Sequence, residues 1–334
     1  MAKQPTVSDI ARLAQVSPST VSRVLTGSSP VHPAKSAAVL AAIERLNFRP
    51  NLTARALARG KSMVIGILTQ SMASQFYGEL AQGVEEGLSG SSYQCVFASG
   101  HWERAAEQAA LDLLLARQVD GLIVLGGDHP DADLLAINEQ IPLIAVGRLI
   151  AGLEDHCLRV ENAAGAFQAV QHLIELGHRR IAHVSGIAAH IDARERRRGY
   201  EQALTTAGLP VDERLVVEGN FTEQSGLLAL EALLARGVHF SAIFAANDQM
   251  AYGIRLGLYR RGLRVPEDVS LVGFDDLLGS AYTTPPLTTV RQSMLEQGRY
   301  AARGLLNLLA DMPPNLPRVA TDLVIRESTA RVRG

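Results

Sequence analysis

The residues able to do chemistry fall into two sets. The first is Ser19, Thr20, Ser22 and Arg23, small, polar and basic side chains left on the outer face of a short helix. A face of that size and polarity is suited to the major groove of DNA. The second set is dispersed. Arg148, Asn247, Asp248, Asp275, Asp276 and Gln292 each follow a short apolar run. Open parallel sheets bind ligands beyond the carboxyl ends of their strands, where these residues would stand. Carboxylate, amide and guanidinium groups converging on a cleft suit a polyhydroxylated ligand. Each engages two neighbouring hydroxyls, and an unpaired buried polar group penalises the wrong stereoisomer. Acids and amides after strands also cap the next helix, and that is the expected role of Asp248.

The first set needs a scaffold of short helices. Thr6 can cap a first helix, with Asp9 completing a capping box. Ile10, Leu13 and Ala14 line one face of that helix, and Gln15 and Val16 make the turn. Ser17 caps a second helix and Pro18 takes its first position, where a missing N–H costs nothing. Val21, Val24 and Leu25 recur inward at helical spacing. A third helix runs from Pro33 to Asn47 with Val39, Leu40, Ile43 and Leu46 inward, and Asn47 can end it in the left-handed conformation. Charge agrees with a phosphate-binding head. Residues 1–61 hold nine Lys or Arg and two acids, a net of +7, so with the whole chain at −2 the remainder carries −9. A basic head on an acidic body is expected of a nucleic-acid-binding module joined to a separate domain.

The second set needs a different scaffold. From Met63 onward, apolar β-rich runs alternate with amphipathic helical stretches. The runs are Met63–Gln70, Tyr93–Ala98, Asp120–Gly126, Pro142–Val146, Arg180–Gly186, Leu215–Gly219, Ser241–Ala246, Ser270–Phe274 and Leu287–Val290. Helices are expected near 76–89, 103–117, 163–177, 192–208, 223–236, 248–262 and 294–310. Continuous Val/Ile/Leu runs between helices mean parallel strands buried on both faces. The pattern predicts an α/β body of two doubly wound parallel sheets with a cleft between two lobes, behind an all-α helix-turn-helix head. The expected boundaries are 1–50 for the head, 51–61 for a linker and 62–334 for the body. Its first lobe is expected at about 62–161 plus 292–325, and its second at about 162–291. The run Val319–Ile325 is expected to cross back and pair in the first lobe.

Several classes lose support. There is no Gly-x-Gly-x-x-Gly and no phosphate-loop motif, so nucleotide cofactors lack their usual signature. No Cys/His cluster has metal spacing, and His183, inside a strand run, reads as a core or exposed histidine rather than a ligand. Neither a cofactor nor a metal is expected. Two cysteines, Cys95 and Cys157, suit a reducing cytosol and read as buried thiols. No secretory leader or membrane span is visible, so a cytoplasmic protein without membrane association is expected.

Two readings stand for three further stretches. Phe76 and Tyr77 open a first-lobe helix and either stack on a sugar face or belong to the core. The run Arg194 to Tyr200 is either a solvated helix face or presents one or two arginines to the cleft. Asn51 to Gly60 encloses about two turns of good helix former, marginal alone in water. It is either a tether or a hinge helix that folds on contact and drives Leu57 between base steps of a minor groove.

Together these residues resemble the LacI/GalR family of transcription regulators, over essentially the whole chain. The resemblance rests on Val-Ser-Pro-Ser-Thr-Val-Ser-Arg-Val-Leu at 16–25, Arg-Pro-Asn at 49–51 with Ala54 and Leu57, and Leu-Gly-His-Arg-Arg-Ile-Ala at 176–182. It continues in Ala-Asn-Asp-Gln-Met-Ala at 246–251, Val-Pro-Glu-Asp-Val-Ser-Leu-Val-Gly-Phe-Asp-Asp at 265–276 and Pro-Pro-Leu-Thr-Thr-Val-Arg-Gln at 285–292. It implies a cytoplasmic homodimer pairing a three-helix head with a body like a periplasmic sugar-binding protein. Pro18, Ser19 and Arg23 would read bases and Leu57 would wedge the minor groove. Thr6, Ser17, Thr20, Ser22, Asn51 and Ala54 complete the candidate DNA-binding set. The candidate effector residues are Phe76, Arg148, Arg196, Asn247, Asp275 and Gln292.

This chain departs from the family pattern in places. Gln15 stands where glycine is usual, and a left-handed Gln costs on the order of 1 kcal/mol. His32, Lys35 and Ser36 replace common Ser, Thr and Arg. The chain ends eight residues after Arg326 without heptads, so a dimer rather than a tetramer is expected. The implied function is a repressor that binds a pseudo-palindromic operator in double-stranded DNA under control of a sugar, sugar acid or sugar phosphate. The alternatives are a cytoplasmic sugar-binding module without regulatory DNA binding, and an enzyme on the same scaffold.

Overall fold

A computed structural model describes residues 5–26, 29–48 and 61–332. The chain divides into two units, Met1–Ser62 and Met63–Gly334. The linker residues Asn51, Ala54 and Leu57 lie outside the described residues.

The first unit contains α1 (Val7–Leu13), α2 (Pro18–Thr26) and α3 (Pro33–Arg45). The capping box forms as expected: the Thr6 N–H donates to Asp9 Oδ2 at 2.9 Å, and Asp9 N–H donates to Thr6 Oγ1 at 3.3 Å. Ser17 Oγ accepts from Thr20 N–H at 3.2 Å and so caps α2. Gln15 takes φ 53° and Asn47 φ 46°. The turn that usually holds glycine therefore keeps its left-handed geometry with glutamine in it. The core is Ile10, Ala11, Val21, Val39 and Ala42. Two inward assignments are corrected: Leu13 is 37% and Leu40 57% exposed. Each lies off the packed stripe by its rotation around the helix, while Ala11 and Ala42 lie on it. Their small side chains let the three helices approach closely.

The second unit holds two six-stranded sheets. The first has β1 (Val64–Thr69), β2 (Gln94–Ser99), β3 (Gly121–Leu125), β4 (Leu143–Val146), β5 (Cys157–Val160) and β11 (Arg318–Val319), in the order β11-β5-β4-β3-β1-β2. All its pairs are parallel. Around it lie α4 (Gln75–Leu88), α5 (Arg104–Ala116), α6 (Asp131–Asn138) and the returning α11 (Met294–Leu308). The second sheet has β6 (Ile181–Ser185), β7 (Val216–Glu218), β8 (Ala242–Ala245), β9 (Ser270–Asp275), β10 (Thr288–Arg291) and β12 (Asp322–Val324). Its order is β12-β10-β9-β8-β6-β7, parallel except for the antiparallel edge strand β12. Its helices are α7 (Asn162–Glu175), α8 (Ile191–Thr206), α9 (Glu223–Ala235) and α10 (Asp248–Arg260).

Three differences from expectation have simple causes. The strand β5 and helix α6 are too short and weakly patterned to stand out in the sequence. The run 319–325 does not stay in the first lobe. Arg318–Val319 pairs with β5, whereas Asp322–Val324 pairs with β10 of the second sheet, so the chain crosses between lobes at 320–321. Cys95 is only half-buried, because β2 is an edge strand; Cys157 is buried. The sheet-crossing chain segments all lie beside one another at the carboxyl ends of β5, β10 and β11, where two lobes can hinge. No described helix is long and apolar enough to cross a membrane.

Candidate functional site

The parallel strands of both sheets aim their carboxyl ends at one cleft of about 560 Å³. The first lobe contributes the segments after β1, β2, β3 and β4, and the second those after β6, β7, β8 and β9. Five expected effector residues, Phe76, Arg148, Arg196, Asn247 and Asp275, line it. Gln292 does not. It stands behind Asp275, donating from Nε2 to Asp275 Oδ1 at 2.5 Å, and Gln297 holds it in turn. Gln292 therefore positions a carboxylate and its amide does not face the cavity.

The floor of the cleft is a buried polar cluster. Arg196 Nη1 is 3.5 Å from Asp275 Oδ1. Its Nε donates to Asn162 Oδ1 at 2.8 Å and its Nη1 to the Ala246 carbonyl at 2.6 Å, while the guanidinium lies 3.8 Å above the Phe274 ring. Burial raises the pKa of Asp275; Arg196 opposes this and Asp248 adds to it. Asp192, which accepts from Asn162 Nδ2 at 2.9 Å, is also raised by burial. Of the run from Arg194, only Arg194 and Arg196 reach the cleft. Arg197 turns away to Glu201 and Glu213, each at 2.7 Å. Arg148 gives Nη2 to the His129 carbonyl and to Asp131 Oδ1, both at 2.7 Å, and leaves Nε and Nη1 buried without a hydrogen-bond partner.

The capping role expected of Asp248 falls to Asn247, which also lines the cleft. Asn247 Oδ1 accepts from Met250 N–H at 2.9 Å and so caps α10, while its Nδ2 donates to the Phe221 carbonyl at 3.0 Å. Asp248 caps nothing. It is fully buried and gathers Leu277 N–H at 2.9 Å, Ser280 Oγ–H at 2.6 Å and Thr289 Oγ1–H at 2.5 Å. It thus ties the segment that follows β9 to β10 at the base of the cleft. Asp276 points elsewhere, to Arg291 at 2.7 Å and Arg326 at 2.6 Å.

Sequence reasoning missed Trp102, His190, Phe221 and Gln249, all of which line the cleft. Trp102 of the first lobe stacks on His190 of the second, centroids 4.5 Å apart. Ser74 Oγ donates to Gln249 Oε1 at 3.0 Å, a second contact between lobes. The signal was available: each of Trp102, His190 and Phe221 follows the end of a parallel strand, the same rule that picked out Asp275. His183, seven residues before His190, belongs to the core, stacked between Tyr200 and Phe244.

On the head, Pro18, Ser19, Ser22 and Arg23 are exposed on α2, and Thr20 is half-buried. The Thr6 hydroxyl is engaged with Asp9 at 2.7 Å, and that of Ser17 lies 2.8 Å from Ser19 Oγ and 2.9 Å from Thr20 Oγ1. His32 precedes α3 without a side-chain cap bond, and Lys35 in its first turn is exposed.

Comparison with known proteins agrees with this architecture. Residues 6–51 match the model for bacterial regulatory proteins of the lacI family, and residues 170–329 that for a periplasmic binding protein-like domain. The chain is 36% identical over 323 residues to the HTH-type transcriptional regulator GalR of Salmonella typhimurium, covering 96% of this chain and 94% of that one. It resembles the lac repressor dimer solved with operator and the anti-inducer ONPF, with TM-score 0.87 and 30% identity over 98% of this chain and 100% of that one. It also resembles the transcriptional regulator CelR in complex with cellobiose, with TM-score 0.74 and 35% identity over 97% and 99% of the two chains. The chain belongs to the lacI family of bacterial regulatory proteins, a DNA-binding transcription regulator with a helix-turn-helix head and a two-lobed α/β body.

Proposed function

We propose that this protein is a cytoplasmic repressor whose operator affinity is set by a neutral sugar bound between the two lobes. The observation that carries the reading is the buried set Arg196, Asn247 and Asp275 at the foot of an aromatic-lined cleft. A bidentate carboxylate and amide suit paired hydroxyls, and aromatic faces suit the C–H faces of a sugar ring. Charge distinguishes the three effector classes considered from sequence. The cleft arginines are engaged already: Arg196 with Asp275, Arg148 with Asp131, and Arg194 with the carbonyls of Ala188 and Ala189. Lining acids Asp128, Asp131, Asp192, Glu223 and Asp275 outnumber Arg148, Arg194 and Arg196. Such a cleft favours a neutral sugar over a sugar acid or phosphate.

Pro18, Ser19 and Arg23 read base edges in the major groove, with Thr20 and Ser22 beside them. Leu57, with Asn51 and Ala54 around it, enters the minor groove. The protein acts as a homodimer on a pseudo-palindrome. Support for the dimer comes from Leu256 and Tyr259 on α10, 44% and 80% exposed, with Leu278 and Tyr282 at 65% and 78% in the segment after β9. Tyr252 on the same stripe of α10 joins that segment through Ser280, hydroxyl to hydroxyl at 2.7 Å, so the apolar side chains form one patch. Sugar binding changes lobe closure and shifts the dimer geometry that lets both linkers fold on DNA, a coupling of about 1–3 kcal/mol. The sugar is bound and released without turnover.

The test is fluorescence anisotropy with the protein's own upstream DNA and with random duplex, at moderate ionic strength, with and without neutral sugars. The expected result is preference for the upstream fragment, altered by one sugar that is recovered unchanged. Equal binding to both duplexes under every condition would leave only a sugar-binding module, and chemical conversion of the sugar would make it an enzyme.

A further inference from the structure

Five aromatic rings form an unbroken chain through the cleft. Centroids lie 5.1 Å apart from Phe76 to Tyr77, 6.0 Å from Tyr77 to Trp102, 4.5 Å from Trp102 to His190 and 5.9 Å from His190 to Phe221. The first three rings come from one lobe and the last two from the other. The hydroxyl-reading groups gather at the buried end, where Arg196, Asn247 and Asp275 are 3%, 4% and 3% exposed. Trp102, in the middle of the chain, is 38% exposed. One pyranose ring has roughly the footprint of one aromatic side chain. A single ring on the polar floor would leave most of the arc, and much of a cavity of about 560 Å³, without a partner.

Trp102 is held in place at a cost. His101 and Trp102 are consecutive non-glycine residues with φ 54° and 59°. Left-handed backbone of this kind costs about 1 kcal/mol or more per residue and persists where the surroundings over-determine it. Here the Trp102 N–H donates at 3.0 Å to Oε1 of Gln70, a side chain with no exposure. A partly exposed indole adds little to the core, so this strain is explained by what the indole meets in the cleft.

We propose, on the basis of the sugar-effector reading above, that Trp102 and His190 form an outer subsite for a second sugar ring. The effector is then a neutral oligosaccharide of two or more units. Its inner ring hydrogen-bonds to Asp275, Asn247 and Arg196, and its outer ring lays a C–H face on the indole. Trp102 is a specificity-determining contact and Gln70 positions it.

The experiment is calorimetric titration of the full chain with matched sugars: glucose against cellobiose and maltose, and galactose against lactose. In the pair that binds, the disaccharide is expected to bind about tenfold tighter than its monosaccharide, the increment a good aromatic contact supplies. Trp102→Ala should bring the disaccharide down to the monosaccharide's affinity, Trp102→Phe should keep part of the increment, and both variants should keep operator binding and wild-type circular dichroism. Trp102 is the only tryptophan in the chain, so wild-type emission should shift to the blue with the disaccharide and stay unchanged with the monosaccharide. Equal affinity for both lengths, or a Trp102→Ala loss shared by both, overturns the outer subsite while leaving a sugar effector in place. Binding of none of these sugars overturns the sugar-effector reading and the subsite with it.

Discussion

Arg196 and Asp275 face each other at 3.5 Å, each 3% exposed, at the floor of the cleft. Removing the side chain leaves Arg196 and Gln292 without an acceptor, whereas a neutral isostere at Asp275 keeps an acceptor oxygen for both. Asp275→Ala is therefore expected to abolish the effector's influence on operator binding while the operator complex itself still forms. Asp275→Asn should fold as well as the wild type, since burial already raises the pKa of this carboxyl, and bind the sugar at least tenfold more weakly, since an acceptor oxygen gives way to an amide N–H. Gel shifts with and without effector separate the two activities. A response that survives in the alanine variant would make Asp275 purely structural.

Leu57 belongs to the linker, and the prediction for it rests on its chemistry and spacing. If it wedges base steps, Leu57→Ala should weaken operator binding at least tenfold, since an inserted side chain repays the unstacking of bases by kinking the duplex. Effector affinity, read by calorimetry without DNA, should not change. Unaltered operator affinity would reduce the linker to a tether.

His183 predicts a pH dependence of stability. Its ring is fully buried between Tyr200 and Phe244, and its Nδ1–H donates to the Phe244 carbonyl at 3.0 Å. Burial pushes its pKa down to about 4 from the ordinary 6.5. The folded state therefore prefers the neutral ring. That contribution is complete above pH 6.5 and is lost as pH falls towards 4, in total on the order of 3 kcal/mol. Urea unfolding at pH 7 and at pH 4.5 should show His183→Asn losing less stability over that interval than the wild type. Parallel losses in both proteins would assign the acid sensitivity to other groups.

Gly186 has a specific steric reason. A Cβ there would stand 2.0 Å from the Phe221 ring. Gly186→Ala must push that ring out of the cleft wall. Overpacking costs about 1–3 kcal/mol, so the variant should fold with a lower melting temperature and bind effector weakly, and operator binding should persist. Undiminished effector affinity would show that Phe221 does not touch the ligand.

Much of this architecture was legible in the chain because its signals are local. Thr6 with Asp9, and Ser17 before Pro18, mark two helix starts that need nothing from the rest of the molecule. The alternation of Val/Ile/Leu runs with helical stretches dictates parallel strands wherever it occurs. Asp275 and Asn247 were found because their side chains follow strong strand runs. The same rule reaches Trp102, His190 and Phe221, which also follow strands. Asp248 and Asn247 are adjacent, and nothing in that pair says which one bonds along the chain and which one reaches Ser280 and Thr289.

By itself the sequence determined the helical head, its basic charge, the two α/β lobes and the residues at their strand ends, since capping, periodicity and charge act over a few residues. Tertiary structure decided what depends on distant partners. It sent the run after Arg318 into both sheets, because the β5 edge accepts two residues and the β10 edge three. It placed Gln292 behind Asp275 and brought Trp102 against His190 from opposite lobes. Stacking and buried hydrogen bonds reach only a few ångströms, and the folding of two sheets about one hinge brings these groups within that range.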